Sequence, residues 1–196
     1  MRRFFSLLLV LVCFSLAYAK TTPMDFVKDR VNSIIEVLKS TKLSSKEKMD
    51  RVGRIIDSSI YWERVAKMVL GIHYRSIKRE QFDQFSRLFR RFVVKVYSKK
   101  FVKYSVGEDL SRIRVIYKRQ IKEDDTYTVL MDLITAKGSV VPISCKVAEV
   151  NGRWLIYDIY VEGISMVNNY RSQINRVILK RGFNHLMKVL RRKVKG

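Results

Sequence analysis

Trp154-Leu155-Ile156-Tyr157-Asp158-Ile159-Tyr160-Val161-Glu162-Gly163-Ile164-Ser165-Met166-Val167-Asn168-Asn169-Tyr170-Arg171 is the stretch whose reading decides the fold. It follows Asn151-Gly152, a dipeptide that tolerates the positive φ angles of a two-residue hairpin turn, so Trp154 to Val161 is expected to pair antiparallel with the segment before it. Gly163 then allows a sharp change of direction, and Ser165 stands three residues before Asn168, where its hydroxyl can accept from a free amide of a new helix. Strand, corner and capped helix read as one unit.

Within the strand, Trp154, Ile156, Asp158 and Tyr160 share one face and Leu155, Tyr157, Ile159 and Val161 the other. Both faces are largely apolar, so the sheet is either covered on both sides or covered on one and encloses something apolar on the other.

Upstream, three further strands are expected. Ile113, Val115 and Tyr117 alternate with Arg112, Arg114 and Lys118, a half-exposed pattern. Glu123-Asp124-Asp125 is a polar turn, Tyr127 to Thr135 a second strand, Lys137-Gly138 a turn, and Val140 to Val150 a third strand. Pro142 lacks an amide donor, which places the start of that strand on an edge or at a bulge. Four sequential strands joined by short turns make an antiparallel meander.

The flanks are helical. Val27, Val31, Ile34, Ile35 and Leu38 recur at helical spacing between Asp25 and Ser40. Ser44 with Glu47 reads as a capping box ahead of Met49, Val52, Ile56 and Ile60, and a short helix from Trp62 to Leu70 stops at Gly71. A long aromatic helix opens at Arg79 and carries Phe82, Phe85, Phe89, Phe92, Val93, Val96 and Tyr97 on one face. Such a stripe suits a core or the wall of an apolar cavity equally well. After Ser165 a helix is expected to about Lys180, broken at Gly182, with Phe183, Leu186, Met187 and Leu190 marking a last amphipathic segment. Helices, a curved four-stranded antiparallel sheet and more helices give an α+β class.

The chain has 196 residues and a formal charge of +22. That length suits one core and one domain, and the charge suggests nucleic acid, anionic membrane or acidic protein as partner. The N-terminus discriminates. Met1-Arg2-Arg3 is a positive start, Phe4 to Leu16 an apolar run too short to cross a bilayer, and Ala17-Tyr18-Ala19 a small-x-small cleavage site. Residues 1–19 therefore read as a cleaved export signal and residues 20–196 as a single mature domain. An exported basic protein meets lipid head groups and envelope proteins before nucleic acid, and no nucleic-acid partner is expected. Cys13 leaves with the signal, and Cys145 alone cannot make an intramolecular disulfide.

Two blocks carry a resemblance to a known family. Trp-Leu-Ile-Tyr-Asp-Ile at 154–159, Val-Glu-Gly-Ile-Ser-Met-Val at 161–167 and Asn-Tyr-Arg-Ser-Gln at 169–173 form the first; Met-Val-Leu-Gly-Ile-His-Tyr-Arg at 68–75, followed by Gln81 and Phe82, forms the second. Together they resemble the MlaC family of periplasmic phospholipid carriers, also called toluene-tolerance proteins. The resemblance implies a nuclear-transport-factor-like cone with added helices. It also implies a phospholipid ligand, and partners in an inner-membrane ABC transporter and an outer-membrane lipoprotein–porin complex with transient membrane contact. It leaves open a carrier of hopanoid or other isoprenoid lipids. Tyr61-Trp62 departs from the family, which commonly has Phe-Asp there.

A carrier of acyl chains must shield about 0.8 kcal/mol per CH₂ from water. The wall expected from the sheet is Met131, Leu133, Ile143, Cys145, Ile156 and Tyr157. Leu70, Phe89, Val93, Tyr97, Ile164, Val167 and Tyr170 are expected to close it from the helices.

Little in the chain suggests catalysis. The two histidines, His73 and His185, stand apart from any second ligand at a metal-binding interval, and no phosphate loop, nucleophile elbow or Cys/His pairing is present. No metal, cofactor or catalytic residue is expected, and the protein reads as a non-enzyme. A small-molecule enzyme on the same cone is the alternative, with Asp158 as its candidate base. A structural role weighs more: Asp158 in an ion pair with Arg171 that holds helix on sheet, Glu162 capping the helix start, Gly163 forming the corner.

Overall fold

Turn chemistry lays out the sheet. The computed structural model describes residues 21–195, so the expected export signal at 1–19 lies outside the described residues. Strands β1 (Arg114–Glu123), β2 (Thr126–Ile134), β3 (Val140–Val150) and β4 (Arg153–Val161) form the expected antiparallel meander. Asn151 and Gly152 both take positive φ, 50° and 75°, as a two-residue turn matched to strand twist requires.

The sheet has a fifth strand that the sequence reading did not include. Glu162 and Gly163 also both have positive φ, 52° and 79°, so the expected glycine corner is a second tight hairpin. It folds the two-residue β5 (Ile164–Ser165) back onto β4, pairing Tyr160 with Ser165 and Val161 with Ile164. Glu162 therefore does not cap the helix: its side chain is exposed and its amide donates to the Pro142 carbonyl at 2.9 Å. Pro142 lies within β3, a central strand, opposite Asp132. In a strand a residue's amide and carbonyl positions point the same way. The missing donor thus falls on the side where β4 is turning off, and the β2–β3 pairing loses no rung.

Helices α1 (Pro23–Lys39), α2 (Ser45–Ser59), α3 (Trp62–Leu70) and α4 (Arg79–Ser105) precede the sheet, and α5 (Met166–Lys195) follows it, broken where Gly182 takes φ 77°. Thr22 with Asp25 and Ser44 with Glu47 form capping boxes at the starts of α1 and α2. Between α2 and α3 the Tyr61 amide donates to the Ile156 carbonyl at 2.8 Å, carrying the chain past the edge of β4.

The helices divide between the two faces of the sheet. On one, α3, α5 and the first half of α4 enclose a core containing Leu70, Phe82, Phe85, Phe89, Tyr157, Val167 and Leu186. On the other, α1 lies over β1 to β4, with Val27 set among Val129, Met131, Cys145, Val147 and Ile156. A third cluster joins Leu38 of α1, Val52 of α2 and Val102 near the end of α4. The 27-residue α4 thus begins in the first core and ends against the helices of the α1 side. Among the described residues no helix is long and apolar enough to cross a membrane.

Candidate functional site

Strand register orders the α1-side face into lateral rows. Tyr127, Val147 and Ile156 make the first, with Trp154 edge-on to Tyr127. Val129, Cys145 and Ile159 make the second; Tyr117, Met131, Ile143 and Val161 the third; Val115, Leu133 and Val141 the fourth. Burial falls unevenly along this order: Tyr127 and Ile159 are half-buried and Met131 is enclosed, but the fourth row has no enclosed member. Val147 and Val129 are fully enclosed, whereas Ile143, Val161, Val115, Leu133 and Val141 are only half-buried.

Hydrogen bonds fix α1 over the closed end. The Met24 amide donates to Gln120 Oε1 at 2.9 Å and the Trp154 indole to the Thr21 carbonyl at 2.5 Å. The face is therefore a continuous apolar strip, sealed at one end and thinly covered at the other.

The expected wall residues divide between the two sides of the sheet. Met131, Ile143, Cys145 and Ile156 belong to the α1-side layer, with Leu133 in the half-buried fourth row. Leu70, Phe89, Val93, Tyr157, Val167 and Tyr170 belong to the other core. Ile156 and Tyr157 were expected to line one wall; alternation along β4 places them on opposite faces, and the Tyr157 ring lies 3.8 Å beneath the Arg64 guanidinium. Ile164 is 60% exposed at the β4–β5 turn and encloses nothing. Tyr97, half-buried, donates to Met166 Sδ at 3.5 Å where α4 passes the start of α5. Sequence reasoning missed Val115, Val141, Ile159 and Val161. Val115 and Val141 alternate in phase with Leu133 and Ile143, whereas a bulge at Tyr157 in the β3–β4 register brings Ile159 and Val161 onto the face of Ile156, where the expected strict alternation set them opposite it.

Two clefts open elsewhere. One of about 310 Å³ is lined by Ser111, Arg112, Arg114, Ile134, Thr135, Ala136 and Gly138. Another of about 460 Å³ lies beside His185, Lys188, Arg191 and Arg192. None of the expected wall residues lines either.

Polar groups around the sheet sort into satisfied, on the α5 side, and unsatisfied, on the α1 side. Asp158, 5% exposed, does not pair with Arg171. Its carboxylate accepts from Ser165 Oγ at 2.6 Å, the Val167 amide at 3.1 Å and the Ile159 amide at 2.8 Å. Arg171 instead donates to the Met68 carbonyl at 2.7 Å. The correction follows from helix geometry: the first amides of α5 and its Ser165 cap point at the strand they leave, and a carboxylate there meets donors and the positive end of the helix dipole at once. Ser165 also accepts from the Asn168 amide at 3.0 Å, as its spacing predicts. With both oxygens engaged, Asp158 is positioned as a tie between β4 and α5 rather than as a free base. His73 is likewise a packing contact, 2.7 Å from Asn175 Oδ1.

Cys145 is enclosed in the second row, and burial pushes its thiol up to about 12, leaving it protonated and unreactive at neutral pH. The Tyr117 hydroxyl and Arg30 Nε are buried without a hydrogen-bond partner. They sit on β1 and α1, the elements that meet over this face.

Comparison with known proteins agrees with this architecture. The family model described as MlaC protein matches residues 28–192, and the chain belongs to the MlaC family. It is 20% identical over 179 residues to the intermembrane phospholipid transport system binding protein MlaC of Haemophilus influenzae, covering 87% of this chain and 81% of that one. It is 24% identical over 184 residues to the toluene tolerance protein ttg2D of Pseudomonas putida, covering 90% and 82%. Among solved structures, the phospholipid-binding protein of Ralstonia solanacearum, determined in complex with a phospholipid, superposes with a TM-score of 0.73 at 20% identity, over 88% of this chain and 96% of that one. At that identity the likeness speaks for the fold.

Proposed function

We propose that the protein is a periplasmic lipid carrier, exported by the signal at residues 1–19, that holds phospholipid acyl chains against the α1-side face of the sheet and ferries them between the outer and inner membranes. The observation that carries this reading is the apolar strip running past the cover of α1 through Ile143, Val161, Leu133 and Val141, apolar surface that the chain itself leaves half-buried. Membership of a family whose relatives are named for phospholipid transport supports the cargo. A membrane ABC transporter on one side and a lipoprotein–porin complex on the other are the partners the reading takes from that family. The excess of basic side chains favours brief, salt-sensitive attraction to anionic surfaces.

Widening the strip to admit two tails requires α1 to move off the sheet, a displacement of a packed element for which the half-buried rows offer the least resistance. The test is mass spectrometry of lipid co-purifying with protein secreted from its full-length gene. Diacyl phospholipid in near-stoichiometric amount is the expected result. An isoprenoid lipid instead would keep the carrier and replace its cargo, whereas protein that is repeatedly empty and takes up no lipid from vesicles would overturn the reading.

A further inference from the structure

Among the described residues, the α1-side layer holds both buried side-chain atoms that lack a hydrogen-bond partner, and the more informative is the Tyr117 hydroxyl. A hydroxyl removed from water without a partner costs on the order of 1–3 kcal/mol, and a phenylalanine would fill the same space without that cost. Tyr117 stands in the third row, beside Met131 and one row from Leu133 and Val115, where sealed packing gives way to the half-buried strip. The nearby Cys145 sulfur does not serve as its acceptor.

We infer that Tyr117 is the polar anchor of the lipid site, donating its hydroxyl proton to an ester carbonyl of a bound acyl lipid. This rests on the carrier reading above and names the chemical feature that the carrier recognises. Three properties select an ester carbonyl. It is a neutral acceptor, which can enter an apolar layer without the penalty of burying a charge. It is the polar atom of a diacyl lipid that lies directly beside the tails. And it requires a donor that stays protonated, as this one does, since burial raises the Tyr117 hydroxyl to about 12. The head-group phosphate, an anion, would instead be drawn to the exposed Lys and Arg side chains outside the layer.

The inference makes linkage chemistry the readout. The full mature protein is titrated with dioleoyl phosphatidylglycerol and with its diether analogue, which has the same tails and head group but no carbonyl, each displacing a fluorescent acyl probe. One hydrogen bond gained in a dry site predicts about fivefold to tenfold tighter binding of the ester lipid. Tyr117→Phe should bind the diether as the parent does and bring the ester-to-ether ratio to about one. That ratio is internal to each protein and is unaffected by a loss of folded fraction. Equal binding of both lipids by the parent, or an unchanged ratio in Tyr117→Phe, overturns the inference while leaving the carrier intact. Failure of the parent to bind either lipid overturns the phospholipid cargo and the inference together.

Discussion

The two faces of the sheet meet opposite treatment. Under α3, α4 and α5 the apolar surface is filled: Phe85 stacks on Phe89 at 5.5 Å, Tyr170 meets Phe89 edge-on at 5.4 Å, and Tyr74 meets Phe82 at 5.0 Å. Interlocked aromatic rings of this kind behave as a close-packed solid. Under α1 a single helix covers strands of equal apolarity, the outer rows stay half-buried, and polar atoms are left without partners. One face stabilises the fold, and the other is the one the chain has not finished covering. On the proposed carrier reading, that difference separates the part that must be rigid from the part that accepts a guest.

The comparison breaks most directly at Phe85, which is fully buried. Phe85→Ala should cost about 3–5 kcal/mol, read as a lowered denaturation midpoint. A loss below about 1 kcal/mol would mean that this core is not the filled one. Next comes the tie between strand and helix. Asp158→Asn leaves a single acceptor oxygen for three donors and turns an NH₂ toward either the Ser165 hydroxyl or the two backbone amides, so a loss of about 2–3 kcal/mol is expected, with lipid transfer by the surviving folded protein persisting. Intact stability with transfer abolished would return Asp158 to a functional role.

On the thinly covered face the ranking should invert. Leu133→Ser, in the half-buried fourth row, should cost about 1 kcal/mol or less in stability yet lower the lipid recovered with the protein. Retention of full lipid load would move the tail site elsewhere. The smallest effect concerns pH. The Thr22 hydroxyl, hydrogen-bonded to Asp25 at the start of α1, holds that carboxyl below its ordinary 3.8. A depressed carboxylate contributes its stabilisation above the unfolded value and loses it as pH falls through the folded one. The protection of first-turn amides of α1, measured relative to their intrinsic exchange rates, should therefore fall below about pH 4, with the aromatic core still protected. Simultaneous loosening of both would show that α1 is no more separable than the rest.

Much of the architecture was legible locally. The Asn151-Gly152 turn, the Ser44–Glu47 box, the end of α3 at Gly71 and the break at Gly182 each depend on residues within a few positions of one another, so the sequence carries them openly. The site was legible only in part. Alternation made β4 apolar on both faces, but which face α1 would cover depends on contacts between residues more than 100 positions apart, and Ile156 and Tyr157 were therefore assigned to one wall when they belong to two. Asp158 was assigned the wrong partner, because Arg171 is an evident counter-ion in sequence whereas backbone amides are invisible there.

The sequence by itself determined the order of elements, their caps and turns, the excess of positive charge and, through two short blocks, the family. These are properties of neighbouring residues, set by backbone conformation and by the periods of helix and strand. Only the tertiary structure decided which apolar face is filled and which is left partly open, and that Tyr117 carries a hydroxyl into the open one. A side chain's period reveals that it wants burial, but what buries it is settled by how distant elements pack.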